Sequence, residues 1–106
     1  MQLRPPPRHR DRTVVRLRGE LAASKAARVR RRLLRALARA PDVMEVDLGK
    51  VTYLAPEVRA LLLAAAATAR RFGARFVVTR ASPLSRRVLE ELGMRRLTDA
   101  LLSSGP

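Results

Sequence analysis

Hydrophobic and polar positions along the chain follow two rhythms, one of period two and one of spacing three and four. From Thr13 to Arg18, Val15 and Leu17 alternate with Arg16 and Arg18, which predicts a half-buried strand ending at Gly19. From about Ser24 the spacing lengthens. Ala26, Val29, Leu33, Leu37 and Ala40 form one apolar helical stripe, closed by Pro41. Val43 to Leu48 predicts a second strand with Val46 and Leu48 inward and Gly49-Lys50 as its punctuation. After residues 51–54 comes Ala55-Pro56-Glu57, where a proline at the first helical position and an acid in the first turn predict a helix start. This helix is expected to run to about Phe72, burying Val58, Leu61, Leu62, Ala65, Ala69 and Phe72, with Gly73 at its C-terminal turn. Phe76-Val77-Val78, within Arg75 to Thr79, is the short apolar run of a parallel strand covered on both faces. Ser82-Pro83 predicts a cap and start for another helix, with Leu84, Val88, Leu89 and Leu92 as its stripe and Gly93 as its end. A last short helix is expected from Thr98-Asp99 to Leu102.

Strand and helix alternating three times predicts an α/β fold. The expected architecture is a small mixed sheet, mostly parallel and four- to five-stranded, with an antiparallel edge near the N-terminus and about four flanking helices. Residues 1–12 carry Pro5, Pro6, Pro7 and several charges and are expected to be a flexible basic arm; residues 13–102 form the domain and residues 103–106 a frayed end. The arm lacks the apolar segment of a signal peptide. Ala60 to Ala69, the longest apolar run, is interrupted by Thr68 and flanked by Arg59 and Arg70, far short of the ~20 residues a membrane span needs. A cytoplasmic location without an integral membrane segment is the expectation.

Composition narrows the chemistry. The 106 residues suit one domain with one core. Only Tyr53, Phe72 and Phe76 are aromatic, so that core must be aliphatic. There is no cysteine, which removes disulfides, thiolate metal ligands and cysteine nucleophiles together. The single histidine, His9, lies in the arm without companions, so neither a histidine triad nor a histidine metal site is expected, and no cofactor is implied. The formal charge is +14, and of 23 basic residues only Lys25 and Lys50 are lysines. Such a balance favours acidic surfaces or polyanions. Heavy use of Arg, Ala, Leu and Pro is also what a GC-rich bacterial genome encodes, so the charge carries less functional weight than its size suggests.

Three segments, in order, resemble the STAS domain shared by bacterial anti-sigma factor antagonists and the cytoplasmic ends of sulfate transporters. They are Val14-Val15-Arg16-Leu17-Arg18-Gly19-Glu20-Leu21, Val46-Asp47-Leu48-Gly49-Lys50-Val51-Thr52-Tyr53-Leu54, and Gly73-Ala74-Arg75-Phe76-Val77-Val78 followed by Leu89-Glu90-Glu91-Leu92-Gly93. The resemblance covers about Thr13 to Leu102. It implies regulation by protein contact, with an anti-sigma factor kinase as the kind of partner and no catalysis by the domain itself. In antagonists the loop after the central strand carries Asp-Ser-Ser-Gly at the head of the second long helix, and a serine there is phosphorylated by the partner. A helix start suits such a switch, because the added phosphate meets exposed amides and the positive end of the dipole.

The chain departs from that pattern at the switch. The loop reads Leu54-Ala55-Pro56-Glu57-Val58-Arg59, with no hydroxyl between Leu54 and Ala60. The acid often found after Gly-Glu-Leu is replaced by Ala22, whereas Asp47 is retained. Glu57 has two readings. It either imitates a phosphoserine in part, with one charge in place of nearly two, or simply stabilises the first helical turn, an effect of about 0.3–1 kcal/mol. The resemblance places the partner-binding surface on Lys50, Leu54, Ala55, Pro56, Glu57, Arg59 and Leu63. Asp47 reads as a strand-end acid satisfying loop amides, since no second acid or base is placed beside it.

Arg28, Arg31, Arg32, Arg35 and Arg39 fall on one face of the first helix, taken to be opposite its apolar stripe, and are candidates for polyanion binding. No exposed aromatic accompanies them for base stacking, which weighs against specific nucleic-acid recognition. An enzyme is not expected, because there is no cofactor fingerprint, no nucleophile with a base and no paired acids. Ser24, Ser82 and Ser85 read as helix-start residues. A second functional class fits the missing serine as well: a STAS-like accessory subunit of a lipid-transport ATPase, working by contact alone.

Overall fold

A computed structural model of the 106-residue chain describes residues 11–81 together with Pro83, Arg86 and Arg87. The elements are β1 (Arg12–Leu21), a single 3-10 turn (Ala23–Lys25), α1 (Ala26–Ala38), β2 (Val43–Leu54), α2 (Pro56–Arg71) and β3 (Arg75–Thr79). The strands lie in the order β1-β2-β3, and both pairings are parallel. Two β–α–β units that add strands in one direction, each with the right-handed crossover that strand twist favours, place both helices on one face. Accordingly α1 packs on β1 and α2, and α2 packs on β2 and β3.

The core lies between that helical layer and the sheet. Phe76, Met44, Leu48, Leu62, Val46 and Val58 are its largest fully buried side chains. Val15 and Leu17 of β1, Val29, Leu33 and Ala36 of α1, and Ala65, Ala66 and Ala69 of α2 also belong to it. Small residues along α2 let the helix sit close to the sheet, where one phenylalanine and aliphatic side chains fill the space. In β3, Phe76, Val77 and Val78 are all buried, as a strand covered on both faces requires.

The described residues form three strands and two α-helices, fewer than the four to five strands and about four helices expected from the sequence. Pro83, Arg86 and Arg87 are helical, at the place where Ser82-Pro83 predicts a helix start. The remainder of that helix, the short helix at residues 98–102, residues 1–10 of the arm with His9, and the antiparallel edge expected of it fall outside the described residues, whereas Arg12, placed in the arm by the sequence, begins β1. So does the frayed end. The first described strand, β1, is parallel to its neighbour.

Gly49-Lys50 does not end a strand. β2 continues through it to Leu54, and the sheet absorbs the irregularity as register shifts: Arg16 pairs with Asp47 but Arg18 with Lys50, and Gly19 pairs with Val51 but Glu20 with Tyr53. The helix ends also differ from expectation. Ala40 lies beyond α1 with φ 50, its amide donating to the Leu37 carbonyl at 2.9 Å, and is exposed rather than part of the buried stripe. Phe72, expected in the core, is 79% exposed. The amides of Gly73 and Ala74 donate to the carbonyls of Arg70 (3.0 Å) and Ala69 (2.9 Å), a Schellman closure with Gly73 at φ 80. That closure turns Ala74 back against Ala69 and leaves Phe72 outside, so the helical stripe stops one turn earlier than its periodicity suggests.

Candidate functional site

The junction of β2 with α2 is built from the inside. Leu54 and Ala55 are 5% and 3% exposed, and the Ala55 amide donates to the Leu21 carbonyl at 2.9 Å, tying the loop to the end of β1. Ala55 is the N-cap of α2, in extended conformation (φ −67, ψ 153), and makes no side-chain capping bond. Its carbonyl accepts the amides of Val58 and Arg59, each at 3.0 Å. Pro56 follows at the first helical position and has no amide to satisfy. The turn is thus held by backbone and proline where an aspartate or serine would ordinarily cap it.

The loop therefore divides the residues expected to meet a partner. Lys50, Pro56 and Glu57 are exposed, and Arg59 and Leu63 are partly exposed. Leu54 and Ala55 are core residues that shape the loop but offer little surface. The Arg59 Nε is buried and has no hydrogen-bond partner among the described residues. Tyr53, 47% exposed, and Thr52 lie beside this surface, a pair that sequence reasoning did not place there. The register shift before Glu20 exposes both in succession, and strict alternation along the strand conceals this.

Asp47 occupies the bulge rather than a catalytic pair. Its Oδ1 accepts the Gly49 amide at 2.8 Å and its Oδ2 stands 3.8 Å from the Arg16 Nε. Two residues earlier, Glu45 bonds to Arg12 through Oε1 and accepts the Thr79 hydroxyl at 2.8 Å through Oε2. Both carboxylates are thus engaged in structural contacts on the sheet face away from the helices. Among the described residues no three His, Cys, Asp or Glu side chains cluster as metal ligands would.

Of the five candidate arginines, Arg28, Arg31, Arg32 and Arg35 lie in α1 and Arg39 is its C-cap, and all are exposed. Arg32, Arg35 and Arg39 lie beside the buried stripe and border a groove of about 210 Å³ against Thr13, Val14 and Val15 of β1. Arg32 donates from Nη1 to the Arg16 carbonyl at 2.6 Å, so one member of the stripe covers part of the strand's outer edge. Among the described residues no helix is long and apolar enough to cross a membrane.

With this geometry in view, the family model described as "Mlab, STAS domain" matches residues 6–102. The chain is a STAS domain. Its fold is that of solved structures at low sequence identity. One is a sulfate transporter family protein from Wolinella succinogenes (TM-score 0.70, 15% identity, 83% of this chain and 72% of that one). Another is the Bacillus cell fate determinant SpoIIAA in its phosphorylated form (TM-score 0.68, 18% identity, 87% and 84%). The anti-sigma factor antagonist SpoIIAA in its unphosphorylated form matches with TM-score 0.63 and 19% identity over 86% and 93% of the two chains. A search of curated proteins finds no significant match. STAS domains are typically non-catalytic and regulatory.

Proposed function

We propose that this STAS domain is a cytoplasmic regulator that docks a protein partner through the start of α2 and does so without phosphorylation of that loop. The observation that carries the reading is the loop itself. Its backbone is anchored by Leu54 and Ala55, its exposed positions are Pro56 and Glu57, and residues 55–60 contain no hydroxyl. Lys50 and the half-buried Arg59 and Leu63 extend the surface, with the Arg59 Nε, next to the first turn, unpartnered among the described residues. Mixed charge with a basic excess suits an acidic partner face, and an anti-sigma factor kinase is the class of partner the antagonist likeness suggests.

Contact between exposed charges is screened over ~10 Å at 0.1 M salt, so a 1:1 complex that weakens as salt rises is the expected behaviour. Replacing Glu57, Arg59 and Leu63 together is the test. Loss of the complex supports the surface, and an unchanged complex removes it. Glu57→Ala alone separates the two roles of that acid: unchanged partner affinity leaves only its contribution to the helix start.

The missing hydroxyl also favours a second reading, an accessory subunit of a lipid-transport ATPase, where contact alone suffices. Neighbouring genes discriminate, a kinase and a sigma factor supporting the first reading and transporter components the second.

A further inference from the structure

We infer that the outer edge of β1 is a second docking surface, which takes an extended acidic segment of a protein partner as an added strand. Among the described residues β1 and β3 are the edge strands of the sheet, and β1, with 10 residues against 5, is the longer template. Its peptide groups alternate in direction. The Asp11 carbonyl accepts the amides of Asp42 and Val43 on the β2 side, at 2.8 and 3.1 Å. The Arg16 carbonyl instead accepts the Arg32 Nη1 at the opposite edge, at 2.6 Å. A period of two then turns the amides and carbonyls of Arg12, Val14 and Arg16 outward. The Arg32 bond shows that this edge takes a donor, and it covers only the last of those three carbonyls.

Charge of one sign flanks the edge. Arg32, Arg35 and Arg39 border the groove against Thr13 and Val14. Arg12 and Arg16 have carboxylates beside them, Glu45 and Asp47, whereas among the described residues Arg35 and Arg39 have none. An added strand therefore finds ladder partners in the backbone of β1 and guanidinium forks along α1, which grip carboxylates through paired hydrogen bonds.

Other occupants fit this edge worse. The residues before β1 bring Arg4, Arg8 and Arg10 to a border already made of arginine, and Pro5, Pro6 and Pro7 have no amide to donate. A second copy sets two chains of formal charge +14 edge to edge, with the arginines of one β1 against those of the other. Nucleic acid satisfies the guanidinium groups but gives the row of outward peptide groups no ladder. The edge shares no residue with the proposed docking surface at the start of α2, so the two readings stand or fall separately.

The test is titration of the full chain with a fluorescent peptide of alternating glutamate and valine, read by anisotropy at about 0.15 M salt, where diffuse attraction to a basic protein is screened. Saturable 1:1 binding is expected. Methylating the amides of the central peptide residues keeps every charge but removes the ladder donors, and should weaken binding about tenfold or more. Val14→Pro removes an outward amide from an edge strand, where proline is tolerated. Arg35→Gln with Arg39→Gln removes exposed charge from the border. Each of these variants should cost a similar factor, with circular dichroism confirming the fold; if Val14→Pro does not fold, the methylated peptide makes the same test. The Val14 amide should exchange its hydrogen quickly in the free chain and slowly with the peptide bound. Slow exchange in the free chain would assign the edge to the preceding residues or, if it strengthens with concentration, to a second copy. Either result overturns the inference. So does equal binding of the methylated peptide or of an oligothymidylate of equal charge, or unchanged affinity in the arginine variant.

Discussion

The two phenylalanines offer a quantitative test of how α2 closes. Periodicity alone places Phe72 and Phe76 together in the core, whereas the structure leaves Phe72 79% exposed and Phe76 2% exposed. Truncating a buried phenylalanine to alanine removes its transfer free energy and leaves a cavity, at a cost of about 3–5 kcal/mol. For a domain whose whole stability is about 5–15 kcal/mol this is a large fraction. At roughly 4 °C per kcal/mol near this chain length, Phe76→Ala lowers Tm by roughly 12–20 °C. Phe72→Ala, a surface change beyond the last helical residue, stays within about 0.5 kcal/mol. Thermal and urea unfolding followed by far-UV circular dichroism are the suitable assays, since the chain has no tryptophan and one tyrosine. Comparable losses in the two variants would refute the Schellman closure at Gly73 and return Phe72 to the core.

Other expectations rest on single contacts. Ala40→Gly relieves a left-handed alanine at φ 50 and raises stability by about 1 kcal/mol, read as an upward shift in the urea midpoint; a loss would show that the turn carries no strain. Gly49→Ala forces Arg80 or Asp47 to move from contacts near 3.1 Å and costs about 1–3 kcal/mol in the same assay. Glu57→Ala removes an acid from the first turn of α2 and costs about 0.3–1 kcal/mol at low ionic strength, less at 1 M salt; a loss that is equal in the two salts would contradict a dipole effect. Asp47→Ala deprives the Gly49 amide of its acceptor and costs about 1–3 kcal/mol, whereas Asp47→Asn keeps an acceptor there and costs less.

What could be read from the residues follows the range of the forces involved. Pro56-Glu57 announced α2 because capping chemistry is local, and α2 begins at Pro56. The alternation of Val15 and Leu17 and the run Phe76-Val78 were legible for the same reason, each strand declaring its own buried face. Gly49-Lys50 does not end the strand because pairing with β1, a long-range effect, carries β2 through it beyond the last partner on β3. Phe72 was misplaced because the stripe was extended past a turn whose closing bonds involve Gly73 and Ala74. That Arg16, Lys50 and Arg80 line one pocket was invisible in the chain, since they meet only through the register of three strands.

Docking of a partner by the start of α2, as proposed, needs no phosphate on the loop. Its most direct test is affinity purification of the tagged chain from its own cells, with intact-mass analysis of the chain and identification of what accompanies it. The account predicts an unmodified chain in a 1:1, salt-sensitive complex that disappears when Glu57, Arg59 and Leu63 are replaced by alanine. A phosphate on Thr52 or Tyr53, the exposed hydroxyls just before the loop, or the same complex recovered with the triple variant, would contradict it.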